Sequence, residues 1–124
     1  MTDMITMQVI RYGLEQIADE MGYTLVRTGR STIITEIKDI SCVVTDAAGQ
    51  MVAQSHHNPS MIAGFEITMK KLSALFPAAD LAPGDVIITN DPYQGGQHIM
   101  DLQTFAPVFH RRTIVGWVGS IAHH

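Results

Sequence analysis

Residues 83–124 read PGDVIITNDPYQGGQHIMDLQTFAPVFHRRTIVGWVGSIAHH, and this stretch decides the fold of the chain. Residues 86–89 form a short apolar run, which predicts a buried strand. Residues 102–109 and 113–122 are rich in strand-forming side chains and flank a short polar segment at residues 110–112. The stretch therefore predicts three strands, of which the last two pair as a hairpin.

The same stretch contains four side chains that can bind a divalent metal, His98, Asp101, His123 and His124. Imidazole nitrogen and carboxylate oxygen suit zinc, manganese or iron, and three or four such groups must converge on one ion. Because residues three apart on a straight strand point to opposite faces, His98 and Asp101 converge only if the chain bends between them. The turn-forming residues 90–96 just before them favour such a bend.

His123 and His124 are adjacent, so only one of them can face a given site from a strand. Trp117 and Ile121 share the parity of His123, and this side carries the bulkier groups expected on a packed face. We therefore predict His123 as a metal ligand and His124 as a catalytic residue that contacts the ligands or the substrate. Taken singly, each histidine is also compatible with an ordinary polar surface residue.

The residues before this stretch predict two amphipathic helices and three further strands. Apolar side chains at three- and four-residue spacing predict one helix from Ile5 to about Thr28 and another at residues 61–76. The strands are predicted at residues 32–35, 41–45 and 50–54, the last two forming a hairpin. The order is helix, three strands, helix, three strands. It predicts an α+β fold in which two helices pack on mainly antiparallel strands.

Other residues in the first half could belong to a site or could be purely structural. Asp39 precedes a predicted strand, where it is either a solvated acid or a site residue at the strand end. Cys42 is a small buried residue of that strand or a nucleophile with a lowered thiol pKa. His56 and His57 lie in a loop that is either exposed or part of a site. Asp19 is expected on the solvated face of the first helix.

Composition limits the class of protein. The chain has 124 residues, 46% of them hydrophobic and 16% charged, which is typical of a globular domain with one core. A net charge of −4, with only 8 Lys and Arg, argues against a nucleic-acid partner. No signal peptide or membrane-spanning run is recognisable. The single cysteine excludes an internal disulfide and suits a cytoplasmic location.

Four segments together resemble the N-terminal part of the hydantoinase B family. They are VIRYGLEQIADEMGYTLVRTGRS, EIKDISCVVTDAAGQMVAQSHHNP, PGDVIITNDPYQGGQHIMDLQTFAPVF and VGWVGSIAHH, and they span nearly the whole chain. The family includes N-methylhydantoinase B proteins, the matching half of 5-oxoprolinase and the alpha subunit of acetone carboxylase. The combination of Asn-Asp-Pro-Tyr, Gly-Gly and the histidine–aspartate pair is the most specific part of the resemblance.

The resemblance implies a set of site residues and partners. Asp39, His98, Asp101 and His123 fall on the positions expected to bind the metal, and His124 lies in the same motif. Family members are larger subunits that act with a hydantoinase A-type partner carrying the nucleotide site. Their motif continues past the histidine pair into an acidic residue and two glycines. Residues 1–124 are therefore expected to be a single domain or an N-terminal fragment that contacts the remainder of its own subunit.

The implied reaction is ATP-dependent hydrolysis of a cyclic amide such as a hydantoin or an oxoproline. The partner would phosphorylate the carbonyl oxygen, and water activated by zinc, manganese or iron would attack the activated carbon. Two alternatives remain open at this point. One is a component of an ATP-dependent ketone carboxylase, and the other is a catalytically silent assembly module.

Overall fold

Two α-helices lie on opposite faces of a five-stranded antiparallel sheet in the computed structural model, which describes residues 1–124. The helices are α1 (Met4–Thr28) and α2 (Phe65–Leu75), and the strands are β1 (Ile40–Asp46), β2 (Met51–Gln54), β3 (Ile87–Thr89), β4 (Asp101–His110) and β5 (Thr113–His123). The strand order across the sheet is β2-β1-β5-β4-β3. The predicted α+β class and the predicted β4–β5 hairpin are confirmed.

Helix α1 covers the β1–β2 side of one sheet face. Asp3 caps its first turn by accepting a hydrogen bond of 2.9 Å from the Thr6 N–H, as expected for an aspartate at this position. Ala18 is fully buried and packs against Val44 and Ala53. The helix continues past Gly22 to Thr28, as the apolar spacing predicted.

Helix α2 covers the opposite face and completes the main core. Phe65 is fully buried there, and its ring centroid lies 4.8 Å from that of Phe105 on β4. Gly119 on β5 permits this packing, because a Cβ at that position would lie 2.4 Å from the Phe65 ring. Trp117 and Ile121 complete this side of the core. Burial of each such large side chain contributes about 1.5–3 kcal/mol relative to exposure.

The predicted strand at residues 32–35 is wrong, because the chain forms a π-helical turn there, Ile33–Ile37. Two strands rather than three therefore separate the helices. The β-branched composition favours a strand locally, but Ile34 is buried together with Ile40 and Ala122, and this packing overrides the local preference.

The second helix is shorter than predicted. A 3₁₀ turn at Pro59–Met61 precedes it, and the α-helix itself begins at Phe65. The start of the predicted range therefore belongs to a connecting segment that leads from β2 to α2. Neither α-helix combines the length and the apolar character needed to cross a bilayer.

Candidate metal centre

The start of β4 and the end of β5 meet at one end of the sheet. Asp101, the first residue of β4, is the ladder partner of His123, the last residue of β5. Directly opposed residues of an antiparallel pair project from the same face. His123 shares this face with the buried Ile121 and Trp117, as its parity predicted. The sheet therefore places an acid and an imidazole side by side.

A turn between His98 and Asp101 brings the third side chain to the same point. The Asp101 N–H donates to the His98 carbonyl at 3.1 Å, and the His98 N–H donates to Asp101 Oδ2 at 3.3 Å. His98 Nδ1 then lies 3.1 Å from Asp101 Oδ1. The chain therefore bends between His98 and Asp101, as their spacing predicted.

The three side chains form a compact group of nitrogen and oxygen donors. One ligand atom from each of His98, Asp101 and His123 lies within 4.8 Å of the others. Asp101 Oδ1 is 3.1 Å from His98 Nδ1 and 3.3 Å from His123 Nδ1. Donors on a tetrahedral centre with bonds near 2.1 Å are about 3.4 Å apart, so these separations fit a divalent cation.

Burial differs strongly within the group. The Asp101 side chain is 3% exposed, whereas the His98 side chain is 50% exposed and that of His123 is 22% exposed. The two imidazole rings are perpendicular, with centroids 4.7 Å apart. A buried carboxylate requires a compensating positive charge or hydrogen-bond donors, and two imidazoles on one oxygen meet that need in part. The site is open to ligands from the His98 side.

The loop that carries His98 is fastened to α2 and to the turn before it. Gly64 at the start of α2 approaches the Gly95 carbonyl so closely that a Cβ on Gly64 would lie 1.9 Å from that oxygen. Gln97 Nε2 donates to the Ser60 carbonyl at 2.7 Å. These contacts fix the loop at Gly95 and at Gln97 and limit where His98 can lie.

Asp39 lies beside this group but does not join it. The Asp39 carbonyl accepts a hydrogen bond of 3.1 Å from the His123 N–H, so the backbone of Asp39 borders the site. Its carboxylate instead accepts a hydrogen bond of 2.5 Å from Asn58 Nδ2 and lies outside the three-residue group. The preceding residue, Lys38, has a left-handed backbone with φ of 58°.

His124 lies at the edge of the site. Its N–H donates to the Met100 carbonyl at 3.2 Å, and its Nδ1 lies 2.8 Å from the same oxygen. The ring is exposed and is not among the three convergent side chains. With Nδ1 bound to a carbonyl, Nε2 is the ring nitrogen left free for other partners.

Cys42 is a structural residue of β1. It is fully buried, and burial, followed by the nearby charge of Asp19, raises the pKa of its thiol to about 12. A nucleophilic cysteine requires a lowered thiol pKa, so the alternative of a cysteine nucleophile is not supported.

One polar pair was not predicted from the sequence. Asp19, expected on a solvated face, accepts a hydrogen bond from the His56 backbone N–H at 2.7 Å and pairs with His56 Nδ1 at 2.8 Å. The pair raises the pKa of His56. Burial alone would raise the pKa of Asp19, but the hydrogen bonds from His56 outweigh burial and lower it. No local pattern reveals this contact, because 37 residues separate its partners.

Comparisons with known proteins concern the family and the fold of the chain. The profile of the hydantoinase B/oxoprolinase family matches residues 3–124. The B-type component of a putative D-/L-hydantoinase from Pseudomonas sp. is 35% identical over 98% of this chain and 21% of its own length. The crystal structure of the ATP-dependent caprolactamase from Pseudomonas jessenii matches with a TM-score of 0.81 at 34% identity, over 98% of this chain and 21% of that chain.

A nucleotide-free structure of acetone carboxylase shares the fold, with a TM-score of 0.83 at 20% identity, over 94% of this chain and 16% of that chain. The chain spans between 9% and 22% of the length of the relatives and structures that it matches.

Proposed function

The chain belongs to the hydantoinase B/oxoprolinase family, and from this premise we propose that it is the metal-binding part of an ATP-dependent cyclic amide hydrolase. The substrate class is a hydantoin or an oxoproline-type lactam. The observation that carries the proposal is the convergence of His98, Asp101 and His123 within 4.8 Å. Two imidazoles and a carboxylate suit zinc, manganese or iron.

The proposed ligand set is His98, Asp101 and His123, with Asp39 as the fourth member. Asp39 would complete the set, because its backbone already borders His123, although its carboxylate accepts a hydrogen bond from Asn58 in this structure. A bound divalent cation at this site supplies Lewis acidity and lowers the pKa of water. It also compensates the charge of the buried Asp101 carboxylate.

The remaining residues of the site orient the ligands and exchange protons. The turn between His98 and Asp101 holds one imidazole, and the β4–β5 ladder holds the other. His124 is the proposed catalytic residue, because its ring lies at the open edge of the site with Nε2 free. In this role it accepts or donates a proton at Nε2 as the ring of the substrate opens.

The proposal includes a hydantoinase A-type partner that binds ATP. Attack of water on an unstrained amide is very slow at neutral pH, and phosphorylation of the carbonyl oxygen by the partner makes the carbon more electrophilic. Two water molecules then complete the hydrolysis, which breaks the ring C–N bond and releases inorganic phosphate, at the site where His98, Asp101 and His123 would hold the metal. The matching structure of an ATP-dependent caprolactamase, at 34% identity, favours ring opening of a cyclic amide over carboxylation of a ketone.

The test is reconstitution of the chain with a hydantoinase A-type partner and the remainder of a family-length hydantoinase B protein. We expect ATP-dependent ring opening of hydantoin or 5-oxoproline that is lost when a chelator removes the metal. Bicarbonate-dependent carboxylation of a ketone without ring opening would instead support the carboxylase alternative. Tight metal-free assembly with neither activity would support the silent assembly module.

A further inference from the structure

A polar cavity lies beside the candidate metal centre, between the end of the π-helical turn and the loop that follows β2. Its volume is about 380 Å³, which lies within the range of small-ligand pockets. It is lined by Ile37, Lys38, Asp39, His56, His57 and Asn58. Five of these six side chains are polar. Of the proposed metal ligands, only Asp39 lines the cavity, whereas His98, Asp101 and His123 do not.

Lys38 supplies to this cavity a positive charge that is not part of an ion pair. It is exposed, and no carboxylate lies within 4.0 Å of its ammonium group. Its left-handed backbone follows the π-helical turn, which is closed by a hydrogen bond of 3.1 Å from the Asp39 N–H to the Ile33 carbonyl. Lysine is not a residue that favours this conformation, so the local fold, rather than the residue type, holds Lys38 at the cavity rim.

His56 supplies a second donor whose orientation is fixed. Asp19 binds both its backbone N–H and its Nδ1, which leaves Nε2 as the free ring nitrogen. The same contact raises the pKa of His56, because the protonated ring is stabilised by the carboxylate. The protonated ring then offers an N–H at Nε2 to a ligand.

His57 is less exposed than His56, and one of its ring nitrogens has no hydrogen-bond partner. Its Nδ1 is buried without a hydrogen-bond partner, a situation that is energetically unfavourable. The ring packs edge-on against Tyr23, with centroids 5.5 Å apart, and fills the space beside Gly22. These contacts hold the imidazole at the cavity wall rather than in solvent.

The acidic side chains near the cavity already accept hydrogen bonds from neighbouring residues. Asp39 is the one acid in the lining, and its carboxylate accepts a hydrogen bond from Asn58. Asp19 uses both oxygens on His56. Lys38 and His56 are therefore the charged donors that remain available to a ligand.

We propose that this cavity binds an oxyanion, a carboxylate or a phosphoryl group, through Lys38 and His56. Charge-assisted hydrogen bonds from ammonium and imidazolium to such oxygens are among the stronger polar contacts in proteins. The identity of the anion rests on the proposed function. It would be either a carboxylate on the cyclic substrate or the phosphoryl group transferred from ATP, held next to Asp39 at the border of the metal centre.

The test is titration of the purified chain with inorganic phosphate and, separately, with acetate at mildly acidic pH. The ring proton resonances of His56 and His57 report binding by NMR. We expect saturable shifts of both rings, and we expect Lys38→Gln to weaken the binding about tenfold. Saturation with phosphate alone indicates a phosphoryl site, and saturation with acetate as well indicates a carboxylate site.

Lys70→Gln is the matched control, because Lys70 is an exposed lysine of α2 outside the cavity. His56→Gln provides a second variant with the same expected loss of binding. Linear, non-saturating shifts, or equal affinity in Lys38→Gln and Lys70→Gln, would overturn the proposal. Metal content measured in the same samples separates the two proposals, since absence of metal with retained phosphate binding contradicts only the proposed function.

Discussion

Asp101 and His123 face each other at the last rung of the β4–β5 ladder, with Asp101 Oδ1 3.3 Å from His123 Nδ1. Both residues therefore belong to the rigid sheet, whereas His98 reaches the same oxygen from a turn. Sites on regular elements hold their geometry more closely than sites on loops. Two of the three proposed ligands are thus fixed by the sheet, whereas the position of His98 depends on its loop.

We predict that His98→Ala and His123→Ala each weaken zinc binding at least about 100-fold, because loss of a residue that only orients a ligand already costs about 10–100-fold. His98 is half-exposed, so its removal should leave the thermal unfolding temperature nearly unchanged. Competition with a fluorescent chelator gives the affinity. His110→Ala at the exposed hairpin tip is the control. If His98→Ala or His123→Ala lost no more zinc affinity than His110→Ala, that residue would not be a metal ligand.

We predict that Gly64→Ala displaces the His98 loop, because its Cβ would lie 1.9 Å from the Gly95 carbonyl oxygen. The expected cost is about 1–3 kcal/mol in the free energy of unfolding, together with weaker zinc binding. Gly13→Ala is a matched control, since nothing lies within 4 Å of a Cβ at that position of α1. It should stabilise the chain by about 0.5–1 kcal/mol. Urea unfolding measures the stability of both variants. If Gly64→Ala were as stable as the wild type, the loop would move aside without an energetic cost.

We predict that Cys42 is unreactive in the folded chain. With a thiol pKa of about 12, about one molecule in ten thousand carries the thiolate at pH 8. A thiol reagent such as DTNB should therefore react slowly with the native protein and should modify one thiol per chain in urea. Cys42→Ser should likewise leave turnover largely intact. Rapid native modification, or a loss of turnover of about a thousandfold in Cys42→Ser, would restore the nucleophile hypothesis.

We predict a pH window for the contribution of the Asp19–His56 pair to stability. The raised pKa of His56 means that its contribution is complete below about 6.5 and is lost as the pH rises through the higher folded value. The lowered pKa of Asp19 means that its contribution is complete above about 3.8 and is lost as the pH falls through the lower folded value. The pair should therefore stabilise the fold most between about pH 4 and 6.5.

Urea unfolding of wild type, His56→Gln and His110→Gln across this range measures the effect. The stability difference between wild type and His56→Gln should shrink as the pH rises above the window, and His110→Gln serves as the control for replacing an exposed histidine. A difference that does not change with pH would mean that the pair acts through packing alone.

Much of the sheet was predictable because its strands alternate and its hairpins are local. The parity of His123 followed from Trp117 and Ile121, and the bend between His98 and Asp101 followed from their spacing. These inferences use neighbours in the sequence, where backbone geometry alone limits the options.

The failures involve contacts between distant residues. The β-branched run before Ile37 predicted a strand, but burial of Ile34 beside Ala122 stabilises a π-helical turn instead. The contact between the Asp39 carboxylate and Asn58 was also not predicted, because the sequence pattern does not place these two residues together. Asp19 and His56 show the same limit, because side-chain pairing across the fold has no periodic signature.

The most direct test of the central claim is the metal content of the purified chain and of Asp101→Asn, measured by mass spectrometry after dialysis against zinc, manganese or iron. The substitution keeps the size of the buried side chain and removes its charge, so the variant should remain folded by circular dichroism. We predict about one tightly held ion per wild-type chain and its loss from Asp101→Asn. Equal metal content in the two folded proteins, or none in the wild type, would contradict metal binding through Asp101.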